Sequence, residues 1–562
     1  MWFTAAMMKS NNDNRSNRRN DRDEKDSSSY IETQQVRLKR RTRPLTLLCA
    51  ISCLTLVSIA KAAVYYVDVG SGSDSNSGTS TSSAWAHLPG TVGQNGSGWA
   101  TIRAGDTVIV KGGTVNNVRV LFDSSHYSGN NSFNSIVIQS GHLASPAWGS
   151  GQAVFDGQQV RTGGFMINGD GITVDGFEVR EIAAGANPPL DSNTGSCCIG
   201  VAYANSITVK RCWLHNAYST SNPSSPAPST DNGHGIEMAG GTNFLFYYNH
   251  IGPSIQMKGI EPYRSNFGVI SNNFFSGISE HCINFSIGEN WDICNNLIRH
   301  DPPYGPEPSW AIAIDRGVNL DIWNNVIFRA APASTTENQR GGSGIGHYVN
   351  TSNNRIAHNT ICFFNDPVNS GSHQTALSLE AGSGYSHTAI VFYNNLVYGN
   401  YNSLGPVAYC VATDYTTQNE VKYCDFFSGS TSDTIMDFET SGSDNLQTVA
   451  NFSPSCGTYS HNVQLDPLLT KGTMPSGLDA QWHPNTAYFQ LTASTPSSVK
   501  STGNALSGDS THGYDRSPGK FSRDILGNTR TGWSMGAYEI GGGGGGGAAP
   551  LPPSGLRIAS AP

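Results

Sequence analysis

GIEM…FLFYYNHI (residues 235–251), GIEP…FGVISNNFF (259–275), CINF…WDICNNLI (282–298), AIAI…LDIWNNVI (311–327) and GIGH…NRIAHNTI (344–361) are successive copies of one phrase. Each copy has a small residue, an aliphatic residue, a short polar stretch and an Asn-centred apolar strand. Looser copies flank them, CIGV…ITVKRCWL (198–214) before and ALSL…AIVFYNNLV (376–397) after. The aliphatic marks Ile199, Ile236, Ile260, Ile283, Ile312, Ile345 and Leu377 are spaced by 37, 24, 23, 29, 33 and 32 residues. Repeats of roughly 20–50 residues built from short strands indicate a solenoid, in which each turn buries its apolar face against its neighbours.

No copy shows helical apolar spacing, and each holds two or three strands of about four residues. The phrase therefore predicts a right-handed parallel β-helix with one rung per copy. The doublets Asn272-Asn273, Asn295-Asn296, Asn324-Asn325 and Asn394-Asn395, with Asn359 in line, fall at one place in the rung. Asn tolerates left-handed backbone angles at a tight corner, and stacked buried amides can hydrogen-bond from rung to rung. Composition fits an all-β solenoid, with 63 Gly, 22 Tyr and 22 Phe but only 14% charged residues.

Residues 1–62 read as a separate leader. A polar, basic stretch with Arg37, Lys39, Arg40, Arg41 and Arg43 precedes an apolar run from Pro44 to Ala60, and Ala60-Lys61-Ala62 fits a small-x-small cleavage site. The expected organisation is a basic n-region and signal peptide (1–62), the β-helix (63–430), its C-terminal end and cap (431–540), and a Gly/Pro-rich linker (541–562). Export to the outside of the cell or its surface is expected, with no membrane span after signal removal; an uncleaved anchor is the alternative reading of the same run. A monomer is expected, with room for a further module beyond the linker. The leader holds 12 Lys/Arg and 6 Asp/Glu, leaving 22 and 36 and a net charge of −14. Such an acidic chain is a poor nucleic-acid binder. Toward an anionic polymer, positive charge would have to be supplied locally by Lys, Arg or a bound cation.

Nine Cys follow the leader without a CxxC pair, which argues against structural zinc. Cys212, Cys282, Cys294, Cys362 and Cys424 fall in or beside strands and read as packed core thiols.

VYYVDVGSGSDSNSGTSTSSAWAHL (64–88) and IRAGDTVIVKGGT (102–114) resemble the opening of secreted bacterial β-helix proteins of the pectate-lyase-like superfamily. DPLL (466–469), YFQLTASTPSSV (488–499) and DILGNTRTGWSMGAYEI (524–540) resemble their C-terminal segment. The resemblance covers about residues 64–540 and implies a pectin-lyase-like solenoid with an N-terminal cap and a C-terminal capping segment. It leaves activity open, because one fold hosts lyases, hydrolases, epimerases and non-catalytic surface proteins.

Stacking the rungs at the aliphatic mark puts ionisable residues into columns. Two positions before the mark stand His234, Lys258 and His281, and one after it Glu237, Glu261 and Asn284. Three after it stand Tyr263, Ser286, Asp315 and Tyr348, with Arg264 and Arg316 one further on. By alternation, the +1 and +3 columns should face solvent. The −2 column has inward parity, but a turn at the strand start can re-aim it. Glu237 and Glu261 repel unless a cation or a shared proton relieves them. With Asn284 and Asp231 they would make an oxygen site suited to calcium. Lys258 between two His would have a lowered pKa and could act as a base. His234 and His281 join it as catalytic candidates, and Arg264 or Tyr263 could bind or protonate the leaving side.

Those parts fit β-elimination on a uronate polysaccharide, in which Lys removes the proton alpha to a neutralised carboxylate. Calcium-dependent β-helix lyases resemble this arrangement, although His234 stands where that resemblance implies a calcium-site Asp. Asp315-Arg316 reads as a substrate clamp or a simple ion pair, and Trp310 in the loop HDPPYGPEPSW (300–310) as a platform for a sugar ring. A glycoside hydrolase using Glu237, Glu261 and Asp315, or a non-catalytic carbohydrate-binding surface protein, are the alternatives. His215, His300, His347 and His358 are scattered, and His358 takes a place in the Asn corner.

Overall fold

The computed structural model describes residues 62–540, apart from 130–131, 133–134, 184–195, 219–232, 301–308, 330–342, 364–375, 380–385, 400–407, 412–418, 428–430, 432–435, 440–445, 453–456, 471–488 and 507–519. The leader, the linker, Asp231 and most of the 300–310 loop lie outside the described residues.

All seven aliphatic marks pair in register. Ile199 faces Ile236, Ile236 faces Ile260, and the ladder continues through Ile283, Ile312 and Ile345 to Leu377, always parallel. This is the parallel β-helix that the repeat predicts. The first face extends beyond the repeat, upstream through Phe165 and Val120 and downstream through Ala408 and Met436. A second face carries the strands that close each polar stretch, such as Phe244 paired with Gly268 and Gly268 with Trp291. The third face is an 11-stranded parallel sheet. In two rungs one strand runs unbroken from the first face into the second, over Ile260–Ser271 and Ile283–Cys294. Left-handed residues turn these strands, Arg264 and Phe267 in one and Ile287 and Asn290 in the other.

The core is a column of buried aliphatic and aromatic side chains running the length of the solenoid. The Asn corner stands beside it. Asn272, Asn295, Asn324, His358 and Asn394 take φ near +55°, and each is followed by a fully buried Asn. Asn249 Nδ2 donates to Asn273 Oδ1, and the chain of bonds runs on through Asn296, Asn325 and Asn359 to Asn395, each at 2.9–3.0 Å. Each amide also donates to the carbonyl of the penultimate residue of the second-face strand one rung earlier, as Asn296 Nδ2 does to Ile270 O at 2.9 Å. Buried polar groups of this kind are tolerated because each has its partners. Cys212 and Cys424 hold the same corner position at the two ends of the ladder. They are buried free thiols, as are Cys282, Cys294 and Cys362, and burial pushes Cys212 and Cys424 up to about 12.

The opening and closing motifs are tied into the solenoid. Trp85 is buried, stacks on Tyr65 at 4.9 Å and donates to Asn76 O at 2.9 Å. The Asp106 carboxylate accepts from the backbone of Ala63 and Arg103, both at 2.8 Å, which fixes Val64 beside Thr107. Among the described residues of 64–160 there are strands and two short 3-10 turns, Thr81–Ser83 and Gly141–Leu143, but no α-helix. The described part of the C-terminal segment packs along the flank of the rungs. Phe489, Leu491, Ile525 and Met535 cover Phe274, Leu297, Val326 and Phe328 of the third face. At the adjoining corner, Lys520 donates to both Asp292 and Asp321. No helix among the described residues is long and apolar enough to cross a membrane.

Candidate functional site

The mark and the residue before it both face the core. Cys198, Cys282 and Ala311 are fully buried in the central cluster beside Ile199, Ile283 and Ile312. A Cβ on Gly235 would lie 2.5 Å from Gly259 O and 2.7 Å from Ile251, which is why the phrase begins with a small residue. Two consecutive inward residues break the alternation, so the −2 position returns to the outside with the +1 position.

The outcome is a two-by-three array on the outer side of the first face. His234, Lys258 and His281 form one column, and Glu237, Glu261 and Asn284 the other. Register fixes the stack: Glu237 pairs with Gly200 and Glu261, and Asn284 with Ala313. The expectation that Glu237, Glu261 and Asn284 face solvent is corrected. They point outward, yet all six side chains of the array are only 0–8% exposed. They are buried among one another and between apolar neighbours. Upstream, Met166 and Cys197 lie over Gly200. Downstream, Trp310 is buried with its ring over Gly346, where a Cβ would come within 2.6 Å of the indole.

Glu261 is the hub. Its Oε1 accepts from Lys258 Nζ at 2.9 Å and Asn284 Nδ2 at 2.9 Å, with Ser286 Oγ at 3.4 Å. Its Oε2 lies 3.4 Å from His234 Nδ1. The repulsion expected between Glu237 and Glu261 is thus offset on one side by Lys258. His281 Nδ1 accepts from the backbone N–H of Trp310 at 3.0 Å. Burial, reinforced by the Lys258 charge, pushes His281 down to about 3, so its ring is neutral at neutral pH. Of the two His expected beside Lys258, His281 therefore adds no positive charge, and Lys258 is held by the Glu261 carboxylate.

The rim is more open. Tyr263 and Asp315 are half-buried, and Arg264 and Arg316 are exposed. Tyr263 pairs with Ser286 and Ser286 with Asp315, so both arginines stand one residue beyond the same column, each with left-handed φ. The Arg264 guanidinium lies over the Tyr263 ring at 5.0 Å. Arg316 pairs with Asp315 at 2.8 Å, an exposed contact worth about 0–1 kcal/mol. Tyr348 leaves the column assigned to it. A register shift puts Val349 opposite Asp315, and the Tyr348 ring instead meets Trp310 at 5.9 Å and His281 at 6.2 Å. Sequence reasoning missed Tyr348, Met166 and Cys197 as walls of the array. The small residue before each mark was the signal that could have shown which way the −2 column turns.

His234, Glu237 and Glu261 each bring one ligand atom within 4.8 Å of the others. That set includes an imidazole nitrogen, and Asn284 turns an amide N–H toward Glu261 rather than its oxygen. Among the described residues this set supplies fewer oxygens than the six to eight that calcium takes, and Asp231, the fourth expected ligand, lies outside the described residues.

No protein-family description matches the chain, and no curated protein does. Solved structures do. A pectate lyase, Pel9A, is 16% identical over 86% of this chain and 97% of its own, with a TM-score of 0.42. A glycoside hydrolase is 10% identical over 62% and 96%, with a TM-score of 0.42. The surface protein and adhesin PfbA of Streptococcus pneumoniae is 12% identical over 64% and 91%, with a TM-score of 0.38.

Proposed function

We propose that this chain is an exported carbohydrate-active protein that cleaves an acidic, uronate-containing polysaccharide by β-elimination at the outer side of the first face. The observation that carries the reading is the pairing of a buried lysine–carboxylate array with two exposed guanidinium groups on its rim. In a chain of net charge −14 beyond the leader, Arg264 supplies the local positive charge that a uronate requires, and Arg316 adds to it when a uronate displaces Asp315. Rungs stand about 4.8 Å apart, so two arginines two rungs apart are separated by roughly 10 Å along the solenoid, a span suited to an extended polymer rather than to one small anion.

Elimination divides into three tasks. A guanidinium neutralises the sugar carboxylate, which acidifies the alpha proton. Lys258 takes that proton, and its electron pair becomes the new double bond as the glycosidic C–O bond breaks. The departing oxygen collects a proton, for which Tyr263 is placed on the same strand as Glu261. Lys258 donates to Glu261 in the resting array. It therefore has to pass a proton to that carboxylate before acting as base. The neutral His281 ring beside it adds no competing positive charge.

Hydrolysis is less well served. Its two carboxylates must flank a glycosidic bond with about 5–9.5 Å between them, whereas Glu237 and Glu261 bring oxygens within 4.8 Å of each other and Asp315, the third carboxylate, is engaged by Arg316. A second reading, binding without reaction, is favoured by the burial of the array. Tyr263, Arg264, Asp315 and Arg316 would then hold the polymer alone.

Ultraviolet absorbance during incubation with pectic, alginate and glycosaminoglycan polymers separates these readings. A rising signal from an unsaturated uronate that Lys258→Ala lowers about 10²–10⁴-fold supports elimination with Lys258 as base. New reducing ends without absorbance would mean hydrolysis. Retention of polymer with neither signal would mean a binding protein.

A further inference from the structure

We infer that His234, Glu237 and Glu261 form a binding site for a divalent transition-metal ion of the zinc class rather than for calcium. The ion's role rests on the elimination reading above; the site itself rests on donor geometry.

The three donors converge from two adjacent rungs, within 4.8 Å of one another. His234 Nδ1 and Glu261 Oε2 stand 3.4 Å apart, beyond the usual 2.7–3.2 Å of an N–H···O bond. A tetrahedral ion with bonds of about 2.0–2.1 Å holds neighbouring donors at ~3.3 Å. The other Glu261 oxygen is engaged by Lys258 and Asn284, so Glu261 presents a single oxygen to the centre. With Glu237 the site offers at most three carboxylate oxygens, about half of what calcium takes. An imidazole nitrogen suits zinc and its neighbours in the first transition row. Two carboxylates of the array face one ammonium, which favours a divalent cation there. Cys197 pairs with His234 across the rung below, and its sulfur would lie 3.0 Å from a Cβ on Gly200, on the side of Glu237. The wall of the site is therefore soft rather than oxygen-rich.

The test is metal binding by the full chain after chelator treatment and dialysis. Zn²⁺ and Ca²⁺ are titrated calorimetrically, and Co²⁺ is added as a coloured stand-in. The expected result is close to one Zn²⁺ per chain, bound at least 100-fold more tightly than Ca²⁺, with a visible Co²⁺ band that Zn²⁺ abolishes. His234→Ala and Glu237→Gln should each weaken Zn²⁺ binding at least tenfold with unchanged circular dichroism. If His234→Ala does not fold, Glu237→Gln and the wild-type Co²⁺ spectrum decide. No Zn²⁺ or Co²⁺ bound, Ca²⁺ bound as tightly as Zn²⁺, or unchanged affinity in the folded variants would overturn the inference. Zn²⁺ bound at these residues without elimination on any polymer would keep the site and sink the lyase reading. Undiminished elimination by a chain that binds no Zn²⁺ would do the reverse.

Discussion

Lys258 Nζ lies 2.9 Å from Glu261 Oε1, with both side chains less than a tenth exposed, although strict alternation would put the two on opposite sides of the sheet. Breaking a buried pair by removing one partner costs about 3–5 kcal/mol, because the other charge is left uncompensated. Lys258→Met and Glu261→Gln should each lower the unfolding free energy, measured by urea titration, by an amount in that range. The double variant should lose clearly less than the sum of the two. Additive losses would mean that the pair is not coupled as the distance implies.

Arg264 and Arg316 should behave differently. Both side chains are exposed, and surface substitutions of this kind usually change stability by less than about 0.5 kcal/mol. Arg264→Ala and Arg316→Ala should leave the unfolding midpoint in place. Each should weaken retention of a uronate polymer about tenfold, the size of one charge-assisted contact of roughly 1.5 kcal/mol. Raising ionic strength should weaken the wild type more than either variant. Affinity electrophoresis through a uronate-polymer gel at two salt concentrations checks both statements.

Much of this architecture can be read from the chain. The seven aliphatic marks predict the register residue by residue because each is inward and each rung repeats the same burial. The Asn doublets predict the corner because two needs coincide there, a left-handed residue and a buried amide. The orientation of the His234–Lys258–His281 column is less legible, since it depends on two consecutive inward residues at the strand start. The departure of Tyr348 follows because it is itself the extra residue, bulged between His347 and Val349 opposite the step from Ile314 to Asp315. Upstream, Val120 and Phe165 pair across a 45-residue interval outside the repeat. The flank packing of the C-terminal segment rests on single contacts such as Asn394 Oδ1 with Asn504 N and His358 Nδ1 with Ser534 O. Contacts between residues so far apart leave no periodic trace.

The Asn ladder should be far more sensitive at its second position than at its first. The Asn296 side chain accepts from the backbone and amide of Asn273 and donates to Ile270 O and Asn325 Oδ1. Asn296→Ala strands several of these buried groups, each at about 1–3 kcal/mol, so a loss of at least about 3 kcal/mol is expected. Its neighbour Asn295 holds φ +56°. Asn295→Gly should cost less than about 1 kcal/mol, because glycine adopts that conformation freely. Asn295→Val should cost about 1–2 kcal/mol more than glycine. Urea unfolding of the three variants side by side gives the order.

Acid should weaken the fold through histidines that are buried neutral. His347 is pushed down to about 3, first by burial and then by the neighbouring His387, and His358 lies well below its ordinary value for the same first reason, with Arg530 adding to it. An unfolded chain protonates these rings near pH 6.5 while the folded chain does not, so the unfolded state binds more protons below that pH. Their contribution is therefore fully present above about pH 6.5. It is lost as pH falls toward 3, with a slope of up to about 1.4 kcal/mol per pH unit for each ring. His347→Asn removes one such proton and should flatten the fall by up to that amount between pH 6 and 4, whatever it does to stability at pH 7. Unfolding midpoints at a series of pH values, for wild type and variant together, check the sign. A variant whose profile parallels the wild type would mean that His347 is protonated in the fold.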